Sequence, residues 1–310
     1  MGSRDLDISG SLTWDDGLPR PKWDLIESWV ETNCAPDARR DTWIAVEKQW
    51  LAELGPALGD GYEVIESDNF MVLTGQADEI GGYLLPFAER CRAVLLSALG
   101  GVADFAGLGK QLVVALRDPE HYYRYISQYY PEGVHGGSAG IHLREGYPHV
   151  ALHGGHLLGM QNTLAHELTH VSLLHLSMPQ WLEEGLAQMF EHNMTGRSQL
   201  QVDDRMAGQH KRYWRKHGLD EFWRGEGFSR AGKVQGLSYQ LAEILVRLLV
   251  EECQPRWFGW VREPQLRFFA FLRGASMSDC GEAACQEHLR FGLSDVAARF
   301  LGPGSWCPSF

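Results

Sequence analysis

No run of about 18 apolar residues occurs anywhere in the chain, so no helical membrane span is expected. The stretch Met1 to Asp7 lacks the apolar core of a signal peptide, which implies a cytoplasmic protein, or a secreted one if a precursor has been trimmed. Cysteine is sparse: Cys34, Cys91, Cys253, Cys280, Cys285 and Cys307 form no C-x-x-C pair. They read as mostly free thiols of a reducing compartment, with Cys280–Cys285 and Cys285–Cys307 as the bridges left open. Positive charge is also short, 28 Lys and Arg against 40 Asp and Glu, a net −12. That balance opposes nucleic acid and anionic membranes as partners. One locally basic stretch (Arg256, Arg262, Arg267, Arg273) is interleaved with aromatics and reads as an amphipathic helix whose arginine stems lie along apolar surface. No internal repeat is evident, and no window reads as low-complexity apart from glycine-rich turns. What remains is a 310-residue chain, 44% hydrophobic, suited to one large or two intimate globular domains.

The most informative stretch is Asn162-Thr163-Leu164-Ala165-His166-Glu167-Leu168-Thr169-His170-Val171. It sets His-Glu-x-x-His inside helical apolar spacing (Leu164, Leu168, Val171, Leu174). Residues four apart on an α-helix share a face about 6 Å apart at their bases, so His166 and His170 can reach one zinc ion at roughly 2.0–2.1 Å. Glu167 is placed to take a proton from a water at that ion. A five-residue pattern recurs by chance, and the chemistry needs a third ligand. Pro179, placed as a first-turn proline, predicts a second helix that folds back with Glu183 and Glu184. Helical periodicity does not choose between these two carboxylates; Gly185 and Ala187 leave room for close helix approach beside Glu184. A metzincin is excluded, because Leu173 and Leu176 stand where Gly and His would be needed. His175, rotated about 140° from His170, is expected to be a buried or capping histidine.

In chain order, residues 1–21 read as an irregular arm with turns at Asp15-Asp16-Gly17 and at Pro19 and Pro21. Helical patterns follow at 22–32 and 38–54, strand signals at 62–65 and 70–74, and a helix at 77–98. A buried strand is expected at 112–116 and a helix after Asp118-Pro119. Two more strands are predicted at 139–143 and 149–153. The histidines of this region (His135, His142, His149, His153, His156) read as polar positions alternating along strands and loops rather than as a second metal site. Residues 200–230 give no clear assignment. A core helix carries Leu241, Ile244, Leu245, Leu248 and Leu249, and helices at 262–273, 279–290 and 294–301 complete the chain.

The segment Trp181-Leu182-Glu183-Glu184-Gly185-Leu186-Ala187 resembles W-L-x-E-G-x-A of the gluzincin metallopeptidases. Together with His166 to His170, it makes the chain similar to bacterial peptidase MA-like domains over about residues 60–302. The resemblance implies an α+β fold: a small mixed sheet with active-site helices, a mainly helical C-terminal lobe, and a cleft between them. The element order agrees, with domains at 1–21, 22–176 and 177–310. It further implies one Zn2+ held by His166, His170 and Glu184, Glu167 as general base, and a peptide or protein substrate. A strand just before the zinc helix would pair with extended peptide, and either 139–143 or 149–153 fits. Tyr239, expected to open a helix facing the cleft, is the candidate oxyanion donor. Gln188 departs from the pattern, since related enzymes often carry an acid there to bond a zinc histidine. A zinc-stabilised binding or scaffold protein without turnover is the alternative reading.

Overall fold

The structure is a computed structural model that describes residues 6–75, 80–130, 139–196, 200–253 and 263–309. The start of the expected 77–98 helix, His135, Arg256 and Arg262 lie outside the described residues. The fold is α+β, with a small mixed sheet and many helices. The chain divides into two compact units, one of residues 1–93 and 105–168, the other of residues 94–104 and 169–310. Among the described residues no helix is long and apolar enough to cross a membrane.

The first unit opens with a hairpin, β1 (Leu12–Asp15) against β2 (Leu18–Pro21), in place of the expected irregular arm. Asp16 and Gly17 both adopt positive φ (47° and 71°), the geometry of a two-residue turn whose twist matches the strands it joins. Helices α1 (Trp23–Asn33) and α2 (Arg39–Leu58) follow. Then come β3 (Glu63–Glu66), β4 (Phe70–Thr74), α3 (Gly82–Leu99), β5 (Gln111–Ala115), α4 (Pro119–Ile126), β6 (Gly140–Leu143), β7 (His149–Leu152) and α5 (Leu157–Leu173). The boundary after residue 168 falls inside α5, which is one continuous helix. Asp118 caps α4 by accepting a hydrogen bond from the His121 N–H at 3.0 Å.

The sheet order is β3-β4-β5-β7-β6, with β4, β5 and β7 parallel and both edge strands antiparallel. Strands β4 and β7 are buried along their whole length, as the continuous apolar runs of strands covered on both faces require. The core joins α1, α2 and the sheet through Trp23, Trp43, Trp50 and Tyr147, with ring centroids 5.1–6.4 Å apart.

Polar groups are sunk into this core. The Tyr147 hydroxyl lies 2.6 Å from the Lys110 carbonyl and 2.9 Å from Glu47 Oε2. A phenol has one proton, so satisfying both contacts requires Glu47 to be protonated. Burial pushes the Glu47 carboxyl up to about 8, against the lowering effect of Tyr147 and Lys110. His149 is buried too: its Nδ1 donates to the Tyr147 carbonyl at 2.7 Å and its Nε2 accepts from Tyr125 at 2.7 Å. Burial takes its pKa down to about 4.

The second unit is helical among the described residues. It contains α6 (Gln180–Thr195), α7 (Asp204–His217), α8 (Asp220–Trp223), α9 (Glu226–Ser229), α10 (Lys233–Glu252), α11 (Glu263–Gly274), α12 (Glu282–Ala284) and α13 (Leu293–Leu301). The helix expected over 279–290 is instead a short 3₁₀ turn, α12 and a π-helical turn at Cys285–Leu289. Cys280 and Arg290 adopt positive φ and bound that irregular stretch. The unassigned region 200–230 holds α7, α8 and α9. All six cysteines are free thiols.

Candidate metal centre

Helix α5 carries the His-Glu-x-x-His stretch in its second half. Leu164, Ala165, Leu168, Thr169 and Ser172 are buried, while His166, Glu167 and His170 lie on a partly exposed face. This is the division of labour that helical spacing demands: one stripe packs and the other stays available. The helix ends at Leu173, which is buried; Leu174 is exposed, so it does not extend the apolar stripe. His175 lies beyond the helix end and is exposed, not buried. Edge strand β6 fits closely on α5, since a Cβ on Gly140 would come 2.4 Å from Thr163 Cγ2.

Helix α6 supplies the carboxylates. Pro179 serves as its N-cap rather than its first-turn residue, with φ −60° and ψ 137°. Trp181 is fully buried and donates its indole N–H to the Cys280 carbonyl at 2.9 Å. Trp223 meets the Trp181 ring edge-on at 5.4 Å. Gly185 lies where α10 passes: a Cβ there would come 2.5 Å from the Ala242 carbonyl oxygen and 2.6 Å from Val246 Cγ2. The room expected beside Glu184 is therefore filled by the backbone of a neighbouring helix.

Among the described residues, one group of three could hold a metal ion: His166, His170 and Glu184, with one candidate ligand atom from each all within 4.8 Å of one another. Glu184 is 8% exposed. Its Oε2 lies 3.6 Å from His170 Nε2, close to the roughly 3.4 Å edge of a tetrahedron with 2.0–2.2 Å bonds. Glu183 points at the other ring nitrogen, its Oε1 2.9 Å from His170 Nδ1. A carboxylate only accepts, so Nδ1 carries the proton and Nε2 faces Glu184. Glu183 thereby restrains the orientation of His170, as partners behind metal-binding histidines do.

The other histidines have separate duties. His156 Nδ1 accepts from the Gly159 N–H at 2.9 Å at the start of α5, and the His153 ring meets Tyr122 at 5.8 Å. His142 and His149 are buried, so the expected alternation of polar positions does not describe these strands. Tyr239 does not open its helix: α10 begins six residues earlier, at Lys233, and the Tyr239 ring packs edge-on against Phe228 at 5.2 Å. A phenol that the sequence does not single out is Tyr130, four residues past the end of α4. Burial raises its pKa; Arg144 opposes that rise, and the charges of Glu145 and Glu167 add to it. It therefore stands within the field of Glu167, and no spacing rule links residue 130 to residue 167. Gln188, one turn beyond Glu184, is partly exposed.

No protein-family model, curated protein or solved structure matches this chain.

Proposed function

We propose that the chain is a zinc-dependent metallopeptidase of the gluzincin kind, hydrolysing bonds in peptide or protein substrates. The convergence of His166, His170 and Glu184 within 4.8 Å carries this reading, with Glu167 next to the first histidine in the sequence. Two imidazole nitrogens and one carboxylate suit zinc, whereas magnesium and calcium favour oxygen-only shells. Bound there with a fourth position open, zinc would supply Lewis acidity and bring the pKa of water from 15.7 to about 7.

The side chains do the rest. Glu183 keeps the His170 Nδ1–H engaged so that Nε2 is presented. Glu167, partly exposed, accepts the proton of the attacking water and passes it to the leaving amine. Developing charge on the carbonyl oxygen is met by a phenol, Tyr239 on the family resemblance or Tyr130 on its nearness to Glu167. Strand β6, at the sheet edge and packed against Thr163 one turn before His166 and Glu167, offers backbone groups to which an extended substrate could add as a strand.

The test is metal analysis of the purified chain followed by a peptide-library digest with and without chelator. The proposal expects about one zinc per chain and chelator-sensitive cleavage, with Glu167→Gln retaining the metal and losing most turnover. Zinc retained by a wild-type protein that cleaves nothing would replace the peptidase with a binding scaffold. Undiminished cleavage by Glu167→Gln would remove Glu167 as the base.

A further inference from the structure

Helix α7 gathers positive charge on a chain whose net charge is −12. Successive helical residues turn by about 100°, which puts Arg205, Arg215 and Lys216 within about 60° of Arg212 around the axis. The buried side chains of the helix, His210 and Trp214, lie about 160° from Arg212 on either side. The four cations therefore share the outward face, and all four are exposed, with Lys211 half-buried on its flank. Beyond Asp204 the helix contains no Asp or Glu. Among the described residues, none of these five cations forms an ion pair or a side-chain hydrogen bond. Other cations do meet carboxylates: Lys48 and Lys110 share Glu66, while Arg230 and Arg299 pair with Glu221 and Glu252.

The arrangement works against the stability of the helix. Lys211 and Arg215 are like charges four residues apart, as are Arg212 and Lys216, and such pairs destabilise. The helix dipole favours Arg215 and Lys216 in the last turn but opposes Arg205 in the first. Gly208 lies on the same face, about 40° from Arg212, and glycine is unfavourable inside a helix. No neighbour requires it, since a Cβ there would meet nothing within 4 Å. It leaves the middle of the stripe low enough for the main chain of a partner to approach between the guanidinium groups. Helix packing explains neither the charge nor the glycine; a negatively charged occupant explains both.

The size of the stripe selects among anions. From Arg205 to Lys216 it runs about 16 Å, the length of about five extended residues. A nucleic-acid duplex or a bilayer spreads its charge over many screening lengths of about 8 Å, and so also meets the negative remainder of the chain. A short acidic peptide segment lies within the stripe, and guanidinium forks match its carboxylates two bonds at a time. We propose that the outward face of α7 docks an Asp/Glu-rich segment of a partner protein.

The test uses the full chain and fluorescein-labelled octaglutamate built from D-residues, which a peptidase leaves intact, so that binding is read independently of any hydrolysis. Fluorescence anisotropy in about 0.05 M salt should give saturable binding with a Kd of roughly 1–100 μM, weakened at least ten-fold in 0.3 M salt. Octaglutamine should not bind. The double variant Arg212→Glu/Lys216→Glu should weaken binding at least ten-fold with an unchanged thermal midpoint, and Gly208→Leu should weaken it with all charges in place. If the double variant fails to fold, Arg205→Ala/Arg215→Ala takes its place, and the wild-type salt series still decides. Absence of saturable binding to the wild type overturns the proposal, as does binding undiminished by the loss of these charges. Tighter binding of a 20-base-pair DNA duplex or of phosphatidylserine vesicles than of the acidic peptide overturns it as well, because the stripe would then serve a different class of partner.

Discussion

Replacing Glu183 with alanine tests the proposed metal centre through a side chain that would act without touching the ion. The Glu183 carboxylate accepts the His170 Nδ1–H at 2.9 Å, with side chains only 19% and 12% exposed. A hydrogen bond to a charged group in such a place contributes about 1.5–3 kcal/mol. If that energy serves to hold the ring with Nε2 forward, its loss weakens metal binding by roughly 10- to 150-fold. Removal of partners behind metal-binding histidines generally costs about 10- to 100-fold, so two routes reach the same range. Zinc affinity is measured by competition with a chromophoric chelator at fixed pH. Glu183→Ala should fall in that range and Glu183→Gln between it and wild type, because the amide oxygen still accepts the N–H. Glu184→Ala, which removes a proposed ligand atom, should lose far more. A Glu183→Ala affinity within about two-fold of wild type, or a loss exceeding that of Glu184→Ala, would falsify the assigned division between the two carboxylates.

Glu47 binds its proton more tightly in the folded protein, with a pKa of about 8 against an ordinary 4.5, so its contribution to stability is complete below pH 4.5 and is lost as pH rises through 8. The span is on the order of 5 kcal/mol, and Glu47→Gln should flatten this part of the pH dependence in denaturant titrations at about pH 5, 7 and 9; equal slopes for both proteins would contradict a buried neutral carboxyl. Gly185→Ala forces a methyl group to within 2.5 Å of the Ala242 carbonyl oxygen and should cost about 1–3 kcal/mol in thermal unfolding, with weaker zinc retention; an unchanged midpoint would mean that α10 yields freely. Tyr130→Phe and Tyr239→Phe separate the two candidate oxyanion donors: the one that serves should lower kcat by about 10²-fold or more while metal affinity stays constant, and full activity in both variants would leave neither in that role.

The site is more legible in the sequence than its surroundings. His166, Glu167 and His170 lie within five residues of one helix, where rotation per residue fixes the geometry, and the structure keeps them together. Choosing Glu184 over Glu183 needs the family resemblance, because adjacent helical residues differ by only about 100° and both can face one neighbour. Both do, in different capacities: one meets Nε2 of His170 and the other Nδ1. Apolar runs mark the strands at 70–74, 139–143 and 149–153 but not their order, since pairing is a property of distant segments. That β6 is an edge and β7 interior can be read only from the assembled sheet. The hairpin at 12–21 escapes the sequence reading although Asp16-Gly17 is a strong turn signal, because Pro19 and Pro21 argue against a strand. In an edge hairpin prolines cost little, and both sit in β2. Tyr239 is misplaced for a related reason: Gly236 suggests a boundary, yet α10 runs straight through it from Lys233.

Helix α6 explains why the motif Trp181 to Ala187 is so dense. A carboxylate that completes a metal site must not swing, since freedom lost on binding is subtracted from affinity. Glu184 sits between two restraints that lie outside the cluster. Trp181 fastens the first turn through its bond to the Cys280 carbonyl and its contact with Trp223. Gly185 lets Ala242 and Val246 of α10 come closer than any side chain would permit. One turn is thus held at its start and along its flank, while Glu183 and Glu184 remain directed at the two nitrogens of His170. Neither tryptophan nor glycine offers an atom to the cluster. On the proposed reading they supply the stiffness that a metal-binding carboxylate requires of its helix, and for that reason a seven-residue pattern tells more about the site than the histidine pair alone.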